Sequence, residues 1–153
     1  GSALSKKLNN DSKLVYSLHG DGEMQEGQNW EAIMYAGSKQ VDNLIATIDL
    51  NGQQIDGSTK EVLDLGDLGQ KLEVFGWHVE HIEKGNNLEA IISGMKKAKA
   101  QTGQKRPVAV MLHTVMGNGV DFMMHTHAWH GKAPNDDQLA TALAQNPETL
   151  GDY

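Results

Sequence analysis

Apolar residues in this chain gather into four short runs separated by longer amphipathic stretches. The runs lie in Lys13 to His19 (with Leu14-Val15-Tyr16-Ser17-Leu18 as its heart), Leu44 to Leu50, Trp77 to Ile82 and Pro107 to Thr114. Leu44-Ile45-Ala46-Thr47-Ile48 does not alternate between apolar and polar, the mark of a strand covered on both faces of a parallel sheet. Between the runs the spacing becomes helical. Gly27 to Gly37 places Trp30, Ile33, Met34 and Gly37 on one face. Leu65 to Phe75 predicts a second helix, ended by Gly76. Asn87 to Ala100 predicts a third, with Leu88, Ile91, Ile92 and Met95 as its stripe and Gly103 as its stop. Asn135-Asp136-Asp137-Gln138 has the form of a capping box opening a helix through Ala144. Asn51 to Lys60 and Met116 to Lys132 read as loops, and the tail is polar. The alternation predicts an α/β fold: a doubly wound, mostly parallel sheet with helices on both faces, right-handed crossovers, and one domain over residues 1–153.

Composition narrows the function classes. With 153 residues and 39% hydrophobic content the chain can bury a core. The net charge is −7 with pI near 5.4 and no basic block appears, so nucleic acid is not an expected partner. There are no cysteines, hence no disulfide or thiolate chemistry. No run approaches the roughly 18–20 apolar residues of a membrane span, and no signal peptide is visible. A cytoplasmic protein with no membrane association is expected. The first residue is not Met, and Gly1 to Leu8 reads like the end of a helix; the chain is expected to be a fragment lacking an N-terminal part, although Gly1-Ser2 also reads as the scar of a removed tag.

The chemistry lies where two strands end. Gly20-Asp21-Gly22 follows the first run, and Asn51 follows the second, thirty positions after Asp21. A hard cation on a diphosphate takes oxygen ligands, and glycines let phosphate oxygens approach the backbone. Asp21 offers a carboxylate and Asn51 an amide oxygen, beyond the carboxyl ends of the strands, where open parallel sheets bind ligands. The tripeptide alone is also ordinary turn composition.

Three blocks carry a resemblance. Gly20-Asp21-Gly22-Glu23-Met24-Gln25-Glu26-Gly27-Gln28-Asn29-Trp30-Glu31-Ala32, Asp49-Leu50-Asn51-Gly52-Gln53-Gln54-Ile55-Asp56-Gly57 and His127-Ala128-Trp129-His130-Gly131-Lys132-Ala133-Pro134 together resemble the thiamine diphosphate-binding domain of transketolases, over essentially the whole chain. The wording of the second block is similar to the form split into two polypeptides, of which this would be the N-terminal one. The resemblance implies thiamine diphosphate and Mg²⁺ (or Ca²⁺ or Mn²⁺ in its place). It places the metal on Asp21, Asn51 and the Gln53 carbonyl. It places the cofactor against Gly20, Asp21, Gly22, Glu23, Asn51, Gln53, Ile55 and His130, with the Gly22 amide reaching a phosphate oxygen and Ile55 packing on the thiazolium.

It also implies transfer of a two-carbon ketol unit from ketose phosphates to aldose phosphates, as in the pentose phosphate pathway. His130, Glu26 and Glu31 would be the catalytic residues. His130 would hydrogen-bond the diphosphate and the sugar. Glu26 and Glu31 would stand at the interface between two cofactor sites, where crowded carboxylates share protons; read by themselves they are a solvated helix start. Trp30 fits core or interface. His125, His127 and His130 fall within six residues, which by itself reads as a solvated loop or, less readily, a metal site. His19 stands at the strand end near the site, and His78, His81 and His113 read as strand or surface residues. The resemblance further implies a partner, a pyrimidine-binding domain or C-terminal transketolase subunit, in a homo- or hetero-oligomer. That partner supplies the glutamate that activates the cofactor, and histidines and a Gly-rich stretch N-terminal to this region have no counterpart here, so the chain alone is expected to be inactive.

Other readings compete. A 2-oxoacid dehydrogenase component or a deoxyxylulose-phosphate synthase uses the same cofactor, but Glu23 to Gly27 and His127 to Pro134 resemble neither. A non-catalytic cofactor-binding or assembly subunit is compatible with the missing histidines. A nicotinamide dehydrogenase needs Gly-x-Gly-x-x-Gly, and His19 to Gln25 lacks its third glycine.

Overall fold

A computed structural model describes residues 1–147; the polar tail, residues 148–153, lies outside them. The elements follow the chain as α1 (Ser2–Leu8), β1 (Val15–Gly20), α2 (Gly27–Ser38), β2 (Leu44–Leu50), β3 (Gln53–Gln54), β4 (Gly57–Ser58), α3 (Thr59–Leu63), α4 (Leu68–Val74), β5 (His78–Ile82), α5 (Leu88–Ala100), β6 (Val108–His113) and α6 (Asp136–Gln145), with short 3-10 turns at Glu23–Gln25 and His127–Trp129. Four strands form one parallel sheet in the order β1-β2-β6-β5. No described helix is long and apolar enough to cross a membrane.

The sheet divides the core in two. On one face Ala46 and Ile48 of β2 and Ala109 and Met111 of β6 pack with Ala3 of α1, Ile33 and Ala36 of α2, and Leu68 and Leu72 of α4. On the other, Ile45, Val108 and Val110 pack with Ala98 of α5 and Ile82. Both parities of β2 and β6 are therefore buried, which is why their sequences are apolar without alternation. The α/β reading holds, with helices on both faces.

Differences lie in detail. The stripe expected on α5 holds in part: Leu88 and Ile92 are exposed, Ile91 and Met95 are half-buried with Met95 against the core, and Gly94 and Ala98 are buried. Gly94 comes so close to Ile82 that the helix docks closely on small residues, with Met95 beside them. On α2, Met34 is exposed and Ala36 takes the buried place. Leu65 to Asp67 precede the helix expected from Leu65, because Asp67 caps Gln70 N–H through its side chain at 2.9 Å and so starts α4 at Leu68. The loop expected over Asn51 to Lys60 contains the β3–β4 hairpin and the start of α3. The capping box is present: Asn135 Oδ1 accepts from Gln138 N–H, and Gln138 Oε1 accepts from Asn135 N–H, both at 2.9 Å.

Helix α2 crosses the end of α4 at Gly37, where a Cβ would run into the Phe75 carbonyl oxygen. Gly37→Ala should lower stability by at least about 1–3 kcal/mol, read as a drop in the urea midpoint. Gly27→Ala, whose Cβ meets nothing, should leave the midpoint unchanged or raise it. Equal midpoints for the two variants would show that α2 slides freely past Phe75.

Candidate functional site

The parallel register brings four strand ends to one side of the sheet. Gly20 pairs with Asp49, Leu50 with His113 and Ile82 with Leu112, so Asp21, Asn51, Thr114 and Glu83 each follow the last residues of a strand along one edge. Asp21 is 5% exposed. Its Oδ1 accepts from Gly22 N–H at 2.8 Å and its Oδ2 from Gly52 N–H at 2.7 Å. Its own N–H donates to the Asp49 carbonyl at 3.0 Å. Burial pushes the Asp21 carboxyl above the ordinary carboxylate range. The two glycine amides pull it down, Asp49 adds to the rise, and burial prevails.

Asn51 continues the array. Its Oδ1 accepts from Gln53 N–H at 2.9 Å and its Nδ2 donates to Asp49 Oδ2 at 3.2 Å. The Thr114 hydroxyl donates to the other Asp49 oxygen, and Thr114 N–H donates to the Leu50 carbonyl at 3.3 Å. Asp49 thus joins β2 to the end of β6. The sequence reading missed Asp49, Thr114 and the Gly52 amide; the one available signal was a charged residue at the end of an apolar run, two places before Asn51.

The β3–β4 hairpin lies against the turn after β1. A Cβ on Gly22 would stand 2.6 Å from Gln54 Cβ, so only glycine fits there. Gln54 Nε2 is buried without a partner. The Gln25 amide donates to the Thr59 carbonyl at 3.2 Å and the Leu63 carbonyl at 2.8 Å, fixing the 3-10 turn to α3. Glu23 Oε2 accepts from Gly20 N–H at 3.2 Å, and Glu23 Oε1 lies 3.4 Å from His19 Nδ1. The other ring nitrogen of His19 meets Ser17 Oγ at 3.0 Å.

Gly20, Asp21, Gly22, Glu23, Asn51 and Gln53 are therefore brought into one connected array. The Gly22 amide, expected on a phosphate oxygen, here donates to Asp21 Oδ1. Ile55 sits at the hairpin tip and is 67% exposed, so it is no core residue of this chain. Glu26 and Glu31 are exposed and join no ion pair among the described residues. His130 follows the His127–Trp129 turn, exposed, with its N–H on the His127 carbonyl at 2.9 Å. Trp129 beside it packs edge-on against Phe122, 5.1 Å between centroids, and carries Lys132 over its ring. No described hydrogen bond joins His130 to Asp21 or Asn51. The array offers carboxylate and amide oxygens and no soft donors, the set that suits a hard divalent cation.

The chain is similar to known proteins. Residues 5–148 match the family described as transketolase, thiamine diphosphate binding domain. The chain is 38% identical over 145 residues to a 6-deoxy-6-sulfo-D-fructose transketolase subunit of Clostridium sp., covering 95% of this chain and 52% of that protein. It is 34% identical over 145 residues to an apulose-4-phosphate transketolase subunit of Actinobacillus succinogenes, covering 95% and 51%. This chain thus spans about half the length of these relatives. Among solved structures it matches a Pichia stipitis transketolase in complex with sedoheptulose 7-phosphate, with TM-score 0.82 and 30% identity, over 94% of this chain and 22% of that one. The resemblance read from the three sequence blocks is borne out, and the chain belongs to the transketolase family, whose thiamine diphosphate-binding domain it carries.

Proposed function

We propose that this chain is the diphosphate- and metal-holding part of a transketolase-type enzyme that moves a two-carbon ketol unit from a ketose to an aldose. The observation that carries this reading is Asp21, a buried carboxylate at a strand end whose charged form is opposed by burial and by Asp49. A divalent cation would compensate that charge where, among the described residues, no basic side chain does. The residues present fit the group: oxygen donors only, a glycine with no room for a Cβ, and the buried, unpartnered Gln54 Nε2 beside it.

Asp21 and Asn51 would hold Mg²⁺ by side-chain oxygens and Gln53 by its carbonyl, with Ca²⁺ or Mn²⁺ able to replace it. Gly20, Gly22 and Glu23 would shape the diphosphate end. When bound, thiamine diphosphate supplies the nucleophilic carbon that carries the two-carbon unit. The exposed Ile55 tip would pack on the cofactor ring. Exposed His130 would turn its imidazole to the diphosphate and the sugar, donating from one nitrogen and accepting at the other. Glu26 and Glu31, unpaired within the described chain, would face a second subunit, which supplies the pyrimidine side. The matched relatives are named for a sulfonated ketose and for a phosphorylated sugar. An anionic group remote from the reacting carbonyl is the common chemistry, and the sugar phosphates of the pentose phosphate pathway are one instance.

Calorimetric titration of the chain, assembled with its pyrimidine-side partner, tests this. Thiamine diphosphate should bind only with Mg²⁺, and Asp21→Ala should weaken binding at least about a hundredfold, more than loss of an outer-shell partner costs. Wild-type affinity in that variant would overturn the assignment.

Asp21 also sets a pH signature. Its carboxyl is raised above the unfolded value of 3.8, so the folded chain holds this proton more tightly. The chain without metal should gain stability from Asp21 as pH falls through its folded value toward 3.8, and lose it as pH rises through that window. Asp11, held low by the Lys6 hydrogen bond, acts in the opposite sense. The difference in denaturation midpoint between wild type and Asp21→Asn therefore isolates the Asp21 contribution. It should shift in favour of wild type on acidification, and saturating Mg²⁺ should flatten it. A difference independent of pH would contradict the burial of the charge.

A further inference from the structure

The carboxyl ends of β5 and β6 bring together a second cluster that the cofactor site does not use. His81 Nδ1 lies 3.0 Å from His113 Nε2, and His113 Nε2 lies 3.9 Å from Glu83 Oε1. One ligand atom from each of His81, Glu83 and His113 falls within 4.8 Å of the others. We propose that these three residues form a site for a divalent transition metal of the zinc class, distinct from the oxygen-lined site at Asp21 and Asn51.

The backbone builds the cluster. His81 pairs with Met111 in the β5–β6 ladder, and His113 stands two places further on. The chain leaving β5 turns back at once: Gly85 N–H donates to the His113 carbonyl at 2.8 Å, and a Cβ on Gly85 would collide with that oxygen. This close turn keeps Glu83 over His113. Two imidazoles and one carboxylate are a common donor set for a zinc ion with an open position, and imidazole ranks far below oxygen for magnesium.

The imidazole spacing is near what zinc needs. Two nitrogens each about 2.0–2.1 Å from a tetrahedral zinc stand roughly 3.3 Å apart, and the separation found is 3.0 Å. The rings now meet nearly in one plane, 5.3 Å between centroids and 19° between planes, sharing one N–H···N hydrogen bond. Metal entry therefore requires the rings to rotate and the strands to stay put. If the shared proton is on His81 Nδ1, it moves to Nε2. That nitrogen faces the start of α4, where it and Asp67 Oδ1 lie 3.1 and 3.4 Å from the position a Cβ on Gly69 would take. The site is accessible, with His81 and Glu83 exposed. It opens on a cleft of about 350 Å³ that also holds Lys84, Asn86, Asn87 and Asn118, so a fourth position is open to water or a ligand.

The full chain should be titrated with Co²⁺, and then with Zn²⁺, in saturating Mg²⁺ that fills the oxygen site. One equivalent of Co²⁺ should bind with a visible ligand-field band that Zn²⁺ displaces. His81→Gln and His113→Gln should each weaken binding at least about tenfold, and Glu83→Gln should weaken it and change the band. Asp21→Ala and His130→Gln should bind Co²⁺ as wild type does, so this result stands or falls apart from the cofactor proposal. Imidazole nitrogen resonances of His81 and His113 in the wild-type chain should shift on Zn²⁺ addition, a readout that needs no variant to fold. Absence of the band, unmoved imidazole resonances, or tight binding that survives His81→Gln and His113→Gln would overturn the proposal.

Discussion

Two backbone amides, from Gly22 and Gly52, converge on the carboxylate of Asp21 and so tie the end of β1 to the end of β2. The rest of the site depends on this knot. Taking a carboxylate out of water costs several kcal/mol, and each amide bond to a charged acceptor returns only about 1.5–3. The knot closes only if Gly20 and Asp49 stay opposite one another, which the β1–β2 ladder enforces. Asp49 passes the constraint on through Asn51 to the hairpin and through Thr114 to β6. A slip of one residue in the β1–β2 ladder would swap the two faces of a strand, take Gly20 out of register with Asp49 and undo the array with it.

The conflicts in this molecule concentrate in the same few residues. Over the sheet, local preference and packing agree: β-branched and aliphatic residues in β2 and β6, side-chain caps from Asp67, Asn87 and Asn135 at helix starts. At the strand ends they disagree. A charged group is buried, the Gln54 amide nitrogen lacks a partner, and two backbone segments touch at a glycine. A chain selected for stability alone would remove each of these, and their coincidence is what a binding site accepts in exchange for a ligand.

The parts that were legible in the sequence have a common cause. Burial on both faces writes itself as an unbroken apolar run, and a cap writes itself as Asn or Asp at a fixed offset, so β2, β6 and the start of α6 can be read directly. Asp21 and Asn51 were legible because each follows such a run. What failed depends on close approach. The face of α5 was legible only in part because Gly94 and Ala98, small residues with little hydrophobic weight, let the helix descend onto Ile82. The β3–β4 hairpin has two residues per strand, too few for a period. His81 and His113 are 32 positions apart, and only the β5–β6 neighbour relation, which no pattern along the chain reveals, makes them a pair. His130 is legible by resemblance alone, since its exposed position leaves no packing signature.

Strand β1 stands at one margin of the sheet, hydrogen-bonded to β2 alone. Its Tyr16 and Leu18 are 54% and 71% exposed, beyond the reach of α5. A parallel strand is usually covered, and the residues that commonly guard an open margin, proline or an inward charge, are absent from β1. Among the described residues the outer row of N–H and C=O groups of β1 meets no partner strand. A further strand laid there, whether from elsewhere in a longer chain or from a second one, would find its hydrogen-bond partners already aligned by the β1–β2 ladder.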